Sequence, residues 1–248
     1  ISAGLMSAYG LRDFTFFTNQ PLTQRLFAPM RWSNMRNINI NIPNSTHASI
    51  FPESDSTTYG AQLKNLQCIN VSAEKSTRLW GPTCFMAGNI SVRNDNKIIK
   101  GYFPNITNGV NAFSYQKGVN NIHAYGIDYT KLQNGWYMFS NSGVDNVFDV
   151  VFGSPEAPGD FSLMFSYCNN LKEARNITIY GNSTLFERCN NIETIDGLTR
   201  HASGTVHADW DYCNSLKSIN NVRIYGTTSL FCGFADVSNL ESITNCSF

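Results

Sequence analysis

The sequence predicts a mainly β fold, an elongated β-solenoid of about eight or nine short coils with little helix. Three observations carry the prediction. First, Cys168 to Gly181 reads CNNLKEARNITIYG and Cys213 to Gly226 reads CNSLKSINNVRIYG, identical at eight of fourteen positions. Second, the apolar template of these segments, φ-x-x-φ-x-x-φ-x-φ, recurs along the chain. Third, Asn, Gly, Ser, Thr and β-branched residues dominate, and no long stretch of strong helix formers occurs. The x-φ-x-φ end of each unit has the period of a half-buried strand, and the φ-x-x-φ before it turns the chain into that strand. A single such strand cannot bury its apolar side, whereas stacked copies bury a continuous column.

Taken in chain order, residues 1–30 match nothing in the repeat and are expected to cap the array or attach it to something. Residues 31–164 hold degenerate coils. The template falls on Trp32, Met35, Ile38 and Ile40; on Leu63, Leu66, Ile69 and Val71; and on Cys84, Ala87, Ile90 and Val92. It then falls on Val119, Ile122, Tyr125 and Ile127, and on Val144, Val147, Val150 and Phe152. Residues 165–248 hold well-matched coils: Leu171, Ala174, Ile177 and Ile179; Ile192, Ile195 and Leu198; Leu216, Ile219, Val222 and Ile224; and Leu240 with Ile243. An aromatic residue precedes the first φ by six positions at Phe113, Phe165, Phe186, Trp210 and Phe234, and by five at Phe139. It is expected to fill the wall opposite the strands. Phe248 falls inside the last motif with no polar cap after it, so the array reads as truncated or covered at that end.

The composition excludes several classes. Eighteen basic and 18 acidic residues give a formal net charge of zero, and only 15% of residues are charged. That balance does not make a nucleic-acid surface. With 42% hydrophobic residues the chain is not expected to be disordered, and no apolar run approaches the length of a membrane helix. Thirty asparagines take the place of the missing charge. Seven cysteines form an odd set without C-x-x-C, and His47, His123, His201 and His207 lack zinc-site spacing. The cysteines are expected to be buried as small hydrophobes. No metal or cofactor is expected. Seven N-x-S/T sequons are close to the number that chance gives at this Asn, Ser and Thr content.

With Phe165-Ser-Tyr-Cys168-Asn-Asn-Leu171 and Phe186-Glu-Arg-Cys189-Asn-Asn-Ile192 in view, the pattern F-x-x-C followed by L-x-x-L-x-x-I-x-I resembles the BspA-like branch of leucine-rich repeat proteins. The similarity is strongest over residues 165–248 and looser over the coils before them. The chain departs from that family in residues 1–30, in the long interval from 84 to 119, and in its heavier use of Asn. The resemblance implies a leucine-rich-repeat-like solenoid and a surface or secreted binding protein that adheres to host proteins or other cells.

If strands run through the last two φ positions, their other side carries Asn37, Asn39, Asn70, Asn89, Ser91, Arg93, Asp128, Asn176, Thr178, His201, Asn221, Arg223 and Tyr225. Fixed amides and hydroxyls on a rigid sheet suit glycan or flat protein recognition. Stacked asparagines bonded to one another explain the same residues. Tyr180-Gly181 and Tyr225-Gly226 recur after the strand, and each Gly is expected to adopt positive φ. The expected ligand-binding residues are Tyr180, His201, Arg223, Tyr225, Asn176 and Asn221.

The expected function is a non-enzymatic adhesion module meeting a cell-surface glycan or protein, outside the cell or on a virion. Two alternatives stand beside it. One is a structural or receptor-binding component of a bacteriophage virion, in contact with other chains of an oligomer. The other is a glycan-active enzyme using Asp145 with Asp149, Glu193 with Asp196, or Asp209 with Asp211 across Trp210. Against the enzyme, Trp210 occupies the repeat's aromatic position and is expected in the core.

Overall fold

The computed structural model describes residues 11–21, 36–46, 67–79, 98–207, 210–231 and 236–247. The template copies at Leu63–Leu66 and Cys84–Val92, residues Trp32, Met35, His47, Asp209 and Phe234, and Phe248 lie outside them. The strands are β1 (Asp13–Phe17), β2 (Asn37–Asn41), β3 (Cys68–Ser72), β4 (Ile98–Tyr102), β5 (Asn146–Phe152) and β6 (Gly159–Asp160), then β7 (Glu173–Asn182), β8 (Thr194–His207), β9 (Ser218–Asn220), β10 (Arg223–Phe231) and β11 (Ser242–Thr244). One sheet has the order β1-β2-β3-β4. In a second, of seven strands, the order is β11-β9-β8-β7-β5, with β10 beside β8 and β6 beside β7. All these pairings are parallel. The result is a β-solenoid of about seven turns, close to the expected eight or nine coils. Among the described residues, helix is confined to two 3-10 turns, Ile122–Tyr125 and Tyr129–Lys131.

In the first sheet the strands are short and strictly alternating. β2, NININ, buries Ile38 and Ile40 and exposes its three asparagines, as period two requires. Ile38, Ile69 and Ile99 stand in one column and Ile40, Val71 and Gly101 in the next. β3 pairs directly with β4, so the coil after Cys68–Ser72 enters the sheet at Ile98. β1 pairs in register with β2, which makes a rung inside the segment expected to cap or attach the array. Side chains add a second set of links outside: Asn37 donates to Asp13 at 2.6 Å and Asn70 to Asn39 at 3.0 Å.

The coil over Val119–Ile127 departs from expectation. Val119, Ile122 and Tyr125 are buried as predicted, but the backbone is a 3-10 turn. Asn121 caps it by accepting from the His123 N–H, and Gly126 ends it at φ 59°. Asp128 caps the second turn through Thr130 and is therefore not a strand residue. Local caps of this kind offer the backbone an alternative to sheet bonds.

From β5 onward the template is in register. Val147, Ala174, Ile195 and Ile219 pair in succession, as do Val150, Ile177 and Leu198. Between these columns lies a corner. Asp149, Asn176, Gly197, Asn221 and Asn245 have φ of 52°, 53°, 74°, 54° and 53°. A left-handed residue breaks the alternation once per coil, so two successive inward residues are three positions apart instead of two. Asn and Asp tolerate this conformation better than other residues with a Cβ, and Gly best of all.

Inside, Phe113, Phe139, Phe165 and Phe186 stack at centroid spacings of 5.1, 5.4 and 5.9 Å, and Trp210, 1% exposed, holds the next position. This is the wall expected from the recurring aromatic. Each ring contributes its buried area and an offset stack worth about 0.5–1.5 kcal/mol more. Three residues further on, Cys168, Cys189 and Cys213 donate their thiols to the carbonyls of Phe139, Phe165 and Phe186 at 3.1, 3.0 and 3.0 Å. Burial raises all three thiols, Cys189 well above the ordinary range and Cys213 to about 12, so they act as donors and not as nucleophiles. Cys68 and Cys246 are only half-buried, and Cys84 and Cys232 lie outside the described residues.

Candidate functional site

The left-handed corner decides which side chains face outward on the second half of each coil. After Asn176, Ile177 and Ile179 turn inward, so Thr178 and Tyr180 turn outward; after Gly197 the outward pair is Thr199 and His201. Arg223 and Tyr225 repeat the arrangement on β10, paired with Thr199 and His201. Four adjacent parallel segments thus present two columns: Val151, Thr178, Thr199 and Arg223 in one, and Tyr180, His201 and Tyr225 in the other.

The second column is a stack of rings. Tyr180 and His201 lie 4.7 Å apart at 8°, and His201 and Tyr225 lie 5.2 Å apart at 20°. Stacking covers the inner ring faces, so the stack turns its edges to solvent. Those edges carry two phenol hydroxyls and an imidazole in a row, each able to donate or accept. Tyr225 is the most open of the three, 46% exposed. Gly181 follows Tyr180 at positive φ, as expected, yet it does not end the strand. It pairs with Gly159 of β6, and a Cβ there would overlap the Gly159 carbonyl.

Four of the six expected ligand-binding residues therefore share this face: Tyr180, His201, Arg223 and Tyr225. Asn176 and Asn221 do not. Both sit at the corner, where Asn176 donates to Asp149 at 2.8 Å and Asn221 to Asp196 at 2.7 Å. Counting by twos from Thr178 places Asn176 on the sheet face, and the left-handed φ moves it off. The asparagines mainly bond from coil to coil: Asn44, Asn105, Asn191 and Asn239 also donate to backbone carbonyls of Asn19, Glu74, Asn169 and Asn214.

Among the described residues, the paired carboxylates Asp145, Asp149, Asp196 and Glu193 are each engaged by a neighbouring side chain. Asp149 and Asp196 accept from the corner asparagines, and Glu193 pairs with Lys217 at 2.7 Å, a hydrogen bond that holds its carboxyl below the usual range. Trp210 is buried, as expected of a core aromatic, with Asp211 half-buried beside it. His123 engages the Phe148 carbonyl at 2.8 Å. Among the described residues no three His, Cys, Asp or Glu side chains gather as a metal site, and no helix is long and apolar enough to cross a membrane.

A second outward feature escaped the sequence reading. Two residues after each interior aromatic, Tyr115, Asn141, Tyr167, Arg188 and Tyr212 all take positive φ, from 54° to 63°. The Arg188 guanidinium lies 5.6 Å from the Tyr167 ring and 4.4 Å from the Tyr212 ring, a cation held between two aromatics. The motif aromatic-x-Tyr or aromatic-x-Arg was visible in Phe165-Ser-Tyr167, Phe186-Glu-Arg188 and Trp210-Asp-Tyr212. No family model, curated protein or solved structure matches the chain.

Proposed function

We propose that this chain is a non-enzymatic binding module whose ligand, a glycan or protein on a cell surface, lies along the solenoid axis over the face formed by β7, β8 and β10. The observation that carries the reading is the ring stack of Tyr180, His201 and Tyr225 beside Thr178, Thr199 and Arg223. A stack of this length holds each ring in one orientation at little entropic cost on binding, since the neighbouring coils have already fixed it. The engagement of Asp149, Asp196 and Glu193 by neighbouring side chains supports binding over hydrolysis. The resemblance to BspA-like repeat proteins supports an extracellular or cell-surface setting.

Tyr225→Ala, Tyr180→Ala and Arg223→Ala test the assignment by binding to intact cells and to immobilised glycans and proteins. Each substitution is expected to weaken binding about tenfold while circular dichroism stays unchanged, in keeping with aromatic and Arg anchors. Unchanged binding in all three would remove this face from consideration.

A further inference from the structure

The face has a dimension and a charge, and together they select a ligand class. We infer that it binds an acidic linear glycan, one bearing carboxylate or sulfate groups, with successive sugars on successive coils; this rests on the binding face proposed above.

The dimension comes from the coil spacing. Neighbouring parallel strands lie about 4.8 Å apart, and the ring spacings of 4.7 and 5.2 Å follow that repeat. An extended glycan advances by close to one such spacing per sugar. Its hydroxyls therefore meet an equivalent polar group on each coil: Tyr180 and Thr178, then His201 and Thr199, then Tyr225. An extended peptide advances by about 3.3 Å per residue and alternates its side chains, so it drifts out of step with the coils within two residues. The commensurate ligand is the glycan.

The charge comes from Arg223. Among the described residues of this face it carries the one formal charge, it is exposed, and it takes part in none of the described ion pairs. Asp149 and Asp196, the carboxylates at the corner of these coils, are bonded to Asn176 and Asn221. Arg175, on the adjoining wall, is held by Glu173 at 3.8 Å and by the Phe148 ring at 4.1 Å, and so is already engaged. A guanidinium flanked by Thr199 and Tyr225 matches a carboxylate or sulfate, which accepts two parallel N–H bonds.

The test is titration calorimetry of the whole chain with four probes: a uronic-acid tetrasaccharide, a sulfated tetrasaccharide, a neutral glucan tetrasaccharide and a tetraglutamate peptide. At least one acidic saccharide is expected to bind about tenfold more tightly than the neutral one. Arg223→Gln should erase that preference, Arg223→Lys should keep part of it, and Tyr225→Ala should weaken acidic and neutral saccharides alike. Equal binding of acidic and neutral saccharides, indifferent to Arg223→Gln but lost in Tyr225→Ala, overturns the acidic assignment and leaves the face standing. Tighter binding of the peptide overturns the glycan. Binding of no probe, or binding untouched by Tyr225→Ala, overturns the face itself.

Discussion

The sheet β1–β4 and the coils from β5 onward reach the same stacked architecture by different local means. In β2 and β3 the chain alternates without interruption, and the outer asparagines bond in pairs across coils. In β7 and β8 a left-handed Asn or Gly interrupts the alternation, and its neighbours form a second, differently oriented strand segment. The extra segment creates the face that carries Tyr180 and His201. A flat strand gives stacking alone, whereas a bent one gives stacking and a second wall on which to place function.

The comparison breaks most visibly under core truncation. Phe165→Ala removes a ring stacked on both Phe139 and Phe186 and should cost about 3–5 kcal/mol, while Ile69→Ala in the first sheet should cost about 2–5 kcal/mol. Urea unfolding followed at several probes distinguishes two outcomes. A single shifted transition for both variants means one cooperative body, and a second transition appearing in only one variant means that the two regions unfold separately.

Arg200 sharpens the contrast. It fills an inward position paired with Ile179 and Ile224, fully buried, and donates to the His207 carbonyl at 3.1 Å and to the carbonyl and hydroxyl of Ser183. Arg200→Met should cost about 1–3 kcal/mol in the same urea experiment, because it removes the guanidinium bonds to buried Ser183 and to the His207 carbonyl.

Alkali should act on the C-terminal coils in particular. The buried thiols of Cys168, Cys189 and Cys213 ionise at higher pH folded than unfolded. Their contribution is complete below about pH 9 and is lost as pH rises toward about 12, the value for Cys213, because the unfolded state releases its protons first. Each thiol in that window contributes a slope of about 1.4 kcal/mol per pH unit. Unfolding measured from pH 8 to 11 should show this loss, and Cys213→Val should reduce the slope.

The smallest effect separates two asparagines of opposite duty. Asn176→Ala puts a Cβ residue of poor left-handed tolerance at φ 53° and removes the bond to Asp149, for about 2 kcal/mol, whereas Asn176→Gly should cost less than half of that. Asn39→Ala, in extended backbone, loses only an exposed amide bond, about 0.5 kcal/mol. Thermal melts of the three variants check the order.

The repeat was readable where φ-x-x-φ is present. That spacing marks the corner and locks the phase, so Val144 to Phe152 and all later coils were placed in register. In the first sheet the strands only alternate, and alternation satisfies more than one phase. The template set Ile38 with Ile69 and Ile40 with Val71, as the register has them, but it put the next coil at Cys84 to Val92, whereas β3 pairs directly with β4 at Ile98–Tyr102. That Tyr180, His201, Tyr225 and Arg223 share one outward face was readable because they lie on true strand. Asn176 and Asn221 were misplaced because a period-two count cannot register a single left-handed residue. The 3-10 turn over Ile122–Tyr125 was missed although Asn121, Gly126 and Asp128 offered cap and stop signals on either side.

The direction of the asparagine bonds has a consequence for how such a chain can grow. Asn44, Asn105, Asn191 and Asn239 each reach back to a main-chain carbonyl of the preceding coil. A carbonyl is present whatever residue stands there, so an incoming coil brings its own fastening and asks nothing specific of its neighbour. Coils of unequal length can then be copied, lost or exchanged without a compensating change next door, and the near-duplicate segments at Cys168 and Cys213, with a more divergent copy between them, have the form that such copying leaves.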